Sequence, residues 1–326
     1  MRFSPGWAPV TALTLAILLV GCGSSPTRVI GRTSTPCSLG SPIGSGRLLL
    51  APRAGTFYSV DVLNPDMVAF RGRYLMFFSG NNQHTEEGNW RTGLAVASSP
   101  TGPFRVDSSL EGKYLNGGTT VWHGRLWHVV EDNPDYRGEL ASSLDGITWR
   151  HESFLPGLKY GGITYHGADF FLESEGSRLG VYMLLVPPTG GLGRSLGFAS
   201  YSGGHWSDFH IILSIRAVAR LAWASADLGE PAAFYWSGSH YLLFVGLNRT
   251  NRNRSIGLAR ESSTGWSVCD DSPALPNGVP WGPASSIDPS PLVVGNRLYV
   301  YYGATRINGL AADLGGAIGV RVFGMP

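Results

Sequence analysis

The sequence has few cysteines, few charged residues and no long amphipathic helix pattern, and each shortage argues against a class of protein. Only 3 of its 326 residues are cysteine, and no CxxC pair or cysteine–histidine spacing indicates zinc, so no metal site is predicted. Charged residues make up 15% of the chain and the formal net charge is +2, which argues against nucleic acid as a partner. Because no long amphipathic helix pattern is present, the apolar residues are expected to lie mainly on strands.

The N-terminal segment combines Arg2 with TALTLAILLV, an apolar run of about ten residues. This run is too short to span a bilayer and is typical of a signal peptide. It ends in LVGC, which resembles the bacterial lipobox, and the resemblance implies that Cys22 is lipidated once residues 1–21 are removed. We expect an exported protein, anchored to the membrane of the bacterial cell envelope through a tether at 22–45. The alternative is an ordinary signal peptide with an incidental cysteine.

The rest of the chain repeats one pattern five times. Each copy has an aromatic or β-branched strand, a turn at Gly, Ser or Asn, a second apolar strand and a shorter third strand. The first four copies add a fourth element, with the signatures TGPFRV, DGITWRH, GGHWSD and TGWSV. A unit that recurs about every 50 to 60 residues predicts an all-β fold over 46–326, a five-bladed β-propeller with four-stranded antiparallel blades.

The fifth copy stops after its third strand, which would leave an exposed sheet edge. The segment GRLLLAP at 46–52 is predicted to supply the missing outer strand and to close the ring. Cys37 precedes this segment and Cys269 lies in the loop that leads into the fifth blade. Because an exported chain meets an oxidising compartment, we expect a Cys37–Cys269 disulfide at the closure.

Superposing the copies places five polar residues at one equivalent position, where each innermost strand begins. They are Asn64, Asn116, Asp169, Glu230 and Asp288. Innermost strands of a propeller converge on the central channel, so these side chains are expected to face one another across a funnel. Carboxylates on consecutive blades repel each other and shift each other's pKa, which favours a functional site. The alternative is that they cap strands or bind water at a wet channel mouth.

With its Asn-Pro, Glu-Pro and Asp-Pro strand starts, its GRYLMFFSG hairpin and its DGITW outer strand, the chain from 46 to 326 resembles a superfamily of five-bladed glycoside hydrolases. The superfamily includes arabinanases, β-xylosidases, invertases and fructosidases. In it, a first-blade carboxylate is the base or nucleophile, a second Asp assists, and a Glu is the general acid. The resemblance implies that Asp61 is the first-blade carboxylate, Asp169 the assisting residue and Glu230 the acid.

Two positions depart from the pattern of that superfamily. Asn64 stands at the first-blade register position, and Asn116 stands where arabinanase-like enzymes have an Asp. Either the roles have rotated onto Asp169, Glu230 and Asp288, or Asp61 compensates, or catalysis has been lost. Asp66, just after Pro65, is a further candidate that we expect to cap its strand.

The loops between the second and third strands open on the same face as the strand starts. The residues of these loops that we predict to bind substrate are Asn82, Trp90, Arg91, Arg252 and Arg306. Amides and a tryptophan suit sugar hydroxyls and ring stacking, and arginines suit the uronate, sulfate or phosphate of an acidic glycan. The alternative is that these arginines lie on solvated surface loops.

The sequence thus predicts a monomeric glycoside hydrolase with a carbohydrate substrate and no cofactor. The resemblance favours furanosides or pentose-containing polysaccharides as the substrate. Calcium sometimes occupies the central channel of such folds. Two alternatives remain. One is a glycan-binding lipoprotein without catalysis, and the other is a phosphorolytic or glycosyl-transferring relative whose rim arginines hold phosphate.

Overall fold

The computed structural model is built of strands in five antiparallel sheets. It describes residues 37–83, 90–110, 115–132, 137–190, 193–269, 272–275, 277–306 and 315–324, with the backbone alone at 108–110, 115, 116, 132 and 137. The predicted signal peptide and Cys22 lie outside the described residues. Within those residues, no helix is both long and apolar enough to cross a membrane.

The strands follow one another around the ring. Before the first blade lies β1 (Pro42–Leu50), and the first blade contains β2 (Asp61–Phe70), β3 (Arg73–Asn81), β4 (Arg91–Ala97) and β5 (Arg105–Leu110). The second blade contains β6 (Leu115–Trp122), β7 (Arg125–Asp132), β8 (Arg137–Ser143) and β9 (Trp149–Phe154). The third contains β10 (Leu158–Tyr160), β11 (Ile163–Glu175), β12 (Arg178–Val186), β13 (Ser195–Ser202), β14 (His205–Trp206) and β15 (His210–Ser214).

A short helical crossing separates the third blade from the fourth. It consists of α1 (Ile215–Val218) and a 3₁₀ turn (Ala222–Ala224). The fourth blade contains β16 (Asp227–Trp236), β17 (Ser239–Leu247), β18 (Arg254–Ser262) and β19 (Gly265–Val268), and the fifth contains β20 (Ser285–Val294), β21 (Arg297–Thr305) and β22 (Ala317–Gly324). The predicted all-β, five-bladed fold is confirmed. The third blade is more elaborate than predicted, because β10 extends its inner edge and both β14 and β15 pair with β13.

The ring closes through the N-terminal strand, as predicted. Strand β1 pairs antiparallel with β22, so the fifth sheet has the order β1, β22, β21, β20. The strand begins at Pro42, before the predicted segment, and register irregularities interrupt its pairing. Cys37 and Cys269 form the expected disulfide across 232 residues of sequence, which ties the start of β1 to the loop that follows the fourth blade.

The strands are near-continuous apolar runs because each sheet packs against both neighbours. Between the fifth and first blades, for example, Tyr299 and Tyr301 share a buried cluster with Val62, Met76 and Phe78. Aromatic side chains from the segments that connect the blades complete this packing, because they contact glycines of the strands. A Cβ atom on Gly257 would lie 2.2 Å from the Trp223 ring, and one on Gly319 would lie 2.5 Å from the Trp281 ring. The packing fixes the inner strands that carry the polar residues.

Candidate functional site

All five innermost strands carry a β-bulge at the same place. In each blade the pairing with the second strand passes over two residues, at 64–65, 116–117, 169–170, 230–231 and 288–289. The first bulge residue has a positive φ in four blades: 53° at Asn64, 46° at Asp169, 52° at Glu230 and 51° at Asp288. Positive φ is uncommon for residues other than glycine and costs on the order of 1–3 kcal/mol. Its repetition shows that the fold imposes one backbone geometry on these side chains.

The bulges gather four of the predicted side chains around one central cavity of about 40 Å³. Asn64, Asp169, Glu230 and Asp288 all line it. Its apolar wall comes from the second residue of four bulges and from Phe171, which follows one of them; the second residues are Pro65, Phe170, Pro231 and Pro289. A cavity of this volume has room for roughly one to three water molecules. It is therefore the narrow base of a site rather than the whole of a sugar subsite. Asn116 precedes Gly117 on β6, and its side chain lies outside the described residues.

Hydrogen bonds between blades link the bulges in sequence. Glu230 Oε2 accepts a bond of 2.6 Å from the backbone N–H of Asp288. Asp288 Oδ2 in turn accepts one of 3.1 Å from the backbone N–H of Asn64, whose side-chain amide donates to Ser79 Oγ at 3.0 Å. The side chains of Glu230 and Asp288 thus each satisfy a backbone N–H of the next blade. This explains structurally why acids or amides recur at the position.

Burial and mutual repulsion make two of these carboxyls weak acids. Burial, aided by the charge of Glu230, raises the pKa of Asp169 to about 7, against the opposing charges of Arg194 and Arg254. Burial raises the pKa of Asp288 well above its usual value, and the charges of Glu230 and Asp169 add to this shift. A side-chain hydrogen bond to Glu230 further favours the protonated form of Asp288. Both shifts favour the protonated form of a carboxyl group in this cavity.

Asp61, predicted as the first-blade catalytic carboxylate, lies in another environment. It is fully buried at the start of β2, and its Oδ1 accepts a bond of 3.0 Å from the backbone N–H of Gly316 in the fifth blade. Asp227 holds the same place on β16, where it accepts the backbone N–H groups of Gly193 and Arg194. Asp61 is not among the described residues that line the cavity. The placement gives it an inter-blade structural contact, and its catalytic role remains a prediction.

Asp66, the further candidate that was expected to cap its strand, lies in the cavity wall. Burial raises its pKa to about 7, while hydrogen bonds from the hydroxyl and backbone amide of Thr119 oppose the shift. Thr119 Oγ1 also lies 2.7 Å from His128 Nδ1, and burial lowers the pKa of that histidine to about 4. Asn64 and Asp66 are two residues apart on β2, a spacing at which the side chains of a strand share a face, and both line the cavity.

The predicted substrate-binding residues of the loops are not among the described residues that line the cavity. Trp90 is half-buried and packs against the hydrophobic cluster that contains Leu63 and Ile287. Asn82, Arg91 and Arg306 are exposed, and Arg252 adopts a positive φ of 61°. The guanidinium charges that act on Asp169 belong instead to Arg194 and Arg254. Arg194 is held in place by Asp227, whose Oδ2 accepts a bond of 2.7 Å from Nε.

Oxygen donors dominate the cavity wall, and they are the ligand type that Ca²⁺ prefers. Asp169, Glu230 and Asp288 contribute carboxyl oxygens and Asn64 an amide oxygen. The donor set is therefore compatible with a central calcium ion. The ion itself remains an expectation from the resemblance.

Fold and site together describe a five-bladed β-propeller with a carboxyl-lined cavity at its centre, and solved structures of similar shape are glycoside hydrolases. The catalytic domain of a GH62 α-L-arabinofuranosidase from Coprinopsis cinerea superposes with a TM-score of 0.59 at 13% identity, over 85% of this chain and 97% of that chain. An α-L-arabinofuranosidase from Podospora anserina, solved with cellotriose, gives 0.57 at 11% identity over 85% and 94%. A structure from the GH130 family of mannoside phosphorylases and β-1,2-mannoside hydrolases gives 0.58 at 13% identity over 84% and 93%.

The sequence itself matches no protein-family model and no curated protein. At identities of 11–13%, the structural likeness shows that the chain shares the five-bladed fold of these enzymes. A shared fold does not establish a shared activity, which depends on the residues at the site.

Proposed function

We propose that the protein hydrolyses glycosidic bonds in an extracellular glycan containing furanosides or pentoses, at the cell envelope. The observation that carries the proposal is the convergence of Asp169, Glu230 and Asp288 on one cavity through a repeated, strained bulge. Glycoside hydrolysis needs one carboxyl that is protonated and another that is ionised near neutral pH. The raised pKa values of Asp169 and Asp288 support the protonated condition, and the charges of Arg194 and Arg254 favour ionisation of Asp169.

In the proposed mechanism, Glu230 and Asp288 act as a pair that holds a shared proton. Burial raises the pKa of Asp288, and its side-chain hydrogen bond to Glu230 provides a path for the proton. Glu230 passes the proton to the leaving oxygen as general acid. Water bonds to the anomeric carbon as the bond to the leaving oxygen breaks, and ionised Asp169 stabilises the oxocarbenium-like transition state and accepts the proton of that water. The charges of Arg194 and Arg254 favour the ionised form of Asp169 against its burial. Asn64 cannot exchange a proton and serves as a hydrogen-bonding residue.

A second candidate function, glycan binding without cleavage, is favoured by one specific observation. The first-blade bulge carries Asn64, and its neighbours Glu230 and Asp288 are engaged with the backbone of adjacent blades. A propeller that keeps these contacts for stability needs no catalytic base. The site would then bind sugar hydroxyls without breaking the acetal.

A digest of aryl glycosides and of plant and bacterial polysaccharides, with and without inorganic phosphate, tests the proposal. We expect release of reducing sugar from at least one furanoside- or pentose-containing substrate, at a rate independent of phosphate. A strict requirement for phosphate would instead identify phosphorolysis. Glycan binding without release would establish the second candidate, and neither binding nor release would contradict both.

A further inference from the structure

Far from the central cavity, a second cluster of ionisable side chains joins the third and fourth blades. Glu173 and Glu175 lie at the end of β11, four and six residues beyond Asp169, which at about 3.3 Å per residue places them roughly 13–20 Å along the strand. His240 faces them from β17, and its side chain is 8% exposed. The ligand atoms of these three residues all lie within 4.8 Å of one another.

The imidazole of His240 is held in one orientation. Its Nδ1 lies 2.7 Å from Glu261 Oε2, and its Nε2 points at Glu173 Oε2 at 2.8 Å. Tyr235 stacks on one face of the ring at 4.2 Å, and Trp266 lies 5.0 Å away at a tilt of 60°. Metal-binding histidines commonly donate their second ring N–H to a carboxylate in this way, which fixes the tautomer and aims the other nitrogen.

Four potential ligand atoms surround one small volume. The hydroxyl of Tyr182 lies 3.4 Å from His240 Nε2, 3.4 Å from Glu173 Oε2 and 3.3 Å from Glu175 Oε1. Tetrahedral zinc with bonds near 2.0 Å places its ligand atoms about 3.3 Å apart. The distances therefore need only small adjustments to accommodate an ion.

The charges of the cluster also favour a divalent cation. Glu173, Glu175 and Glu261 carry three negative charges, and Arg178 neutralises one of them by pairing with Glu175 at 2.5 Å. A divalent ion at this place brings the sum of these charges to zero.

We propose that Glu173, Glu175 and His240, with the Tyr182 hydroxyl as a fourth donor, form a zinc site that clamps the third blade to the fourth. Its ligands come from both blades, so the ion cross-links two neighbouring sheets of the ring. Glu261 positions the histidine without touching the metal. The site does not depend on glycan cleavage at the central cavity.

Zinc binding to the tag-free, chelator-treated protein tests the proposal through melting temperature and calorimetry. The wild type is expected to bind one Zn²⁺ per chain. Its melting temperature should rise by about 5 °C at a hundred-fold excess over Kd and return when a chelator is added. The variants His240→Gln and Glu173→Gln should each bind at least tenfold more weakly and lose most of the rise.

The matched control is His151→Gln, because His151 pairs with the single carboxylate Glu139 at 2.8 Å on the second blade. This control should keep the full wild-type response to zinc. No zinc response in the wild type would overturn the proposal, and so would an unchanged response in the cluster variants. If His240→Gln does not fold, shown by the absence of a melting transition, Glu173→Gln decides the question alone.

Discussion

Replacing Glu230 with Gln is expected to slow glycan cleavage by about a thousand-fold, which corresponds to roughly 4 kcal/mol of transition-state stabilisation. Glutamine keeps the size of the side chain and an oxygen that can accept the N–H bond from Asp288. The hydrogen bond between the fourth and fifth blades should therefore survive in the variant. What the variant lacks is a side-chain proton that it can give to the leaving oxygen. Rates and glycan affinities of the two proteins provide the measurement, and the affinity should change less than threefold.

The loss should also depend on the leaving group. An aryl glycoside with a strongly acidic phenol needs little help from a general acid, so the penalty of Glu230→Gln should shrink towards tenfold or less with that substrate. The matched control is Glu139→Gln, which makes the same change outside the residues that line the cavity. An equal loss with good and poor leaving groups would contradict the general-acid role of Glu230, and full activity in the variant would remove Glu230 from the mechanism.

Removing the disulfide at the closure is expected to lower the free energy of unfolding by about 5 kcal/mol. The bond spans 232 residues, so its loss greatly enlarges the conformational freedom of the unfolded chain. It also releases the start of β1, whose pairing with β22 is the strand contact that closes the ring. Chemical denaturation of Cys37→Ser, Cys269→Ser and the double variant provides the measurement.

The free energy of unfolding should fall by the same amount in the two single variants and in the double variant, because each of them abolishes the same disulfide bond. Reducing agent should bring the wild type to their level and should leave all three variants unchanged. A wild type whose stability does not respond to reduction would contradict a stabilising bond at the closure. Additive losses in the double variant would mean that each cysteine acts through its own packing.

The fold could be predicted from sequence because the repeat is local. Each blade carries its own strand pattern and turn residues, so the number of blades and the missing outer strand are visible without distant contacts. The start of β1 was harder to predict, because Gly44 and Gly46 adopt positive φ and its pairing with β22 is irregular. Those features depend on contacts that the local pattern does not contain.

The site could be predicted in position but not in its contacts. Superposition of the repeats found Asn64, Asp169, Glu230 and Asp288, because one backbone position serves all blades. It could not show that Asp288 bonds to the backbone of Asn64, a residue 224 positions away in the chain. The raised pKa of Asp66 comes from burial, which is set by tertiary packing and not by the local pattern.

We expect carboxyl groups that line the central cavity to keep their protons near neutral pH, and infrared titration measures this in the folded protein. The C=O stretching band of protonated carboxylic acids should persist in the folded protein at pH 6, where ordinary Asp and Glu are ionised. It should fade as the pH rises through about 7, and Asp169→Asn and Asp66→Asn should each remove part of it. A wild-type protein without a protonated-carboxyl band above pH 5 would contradict the account.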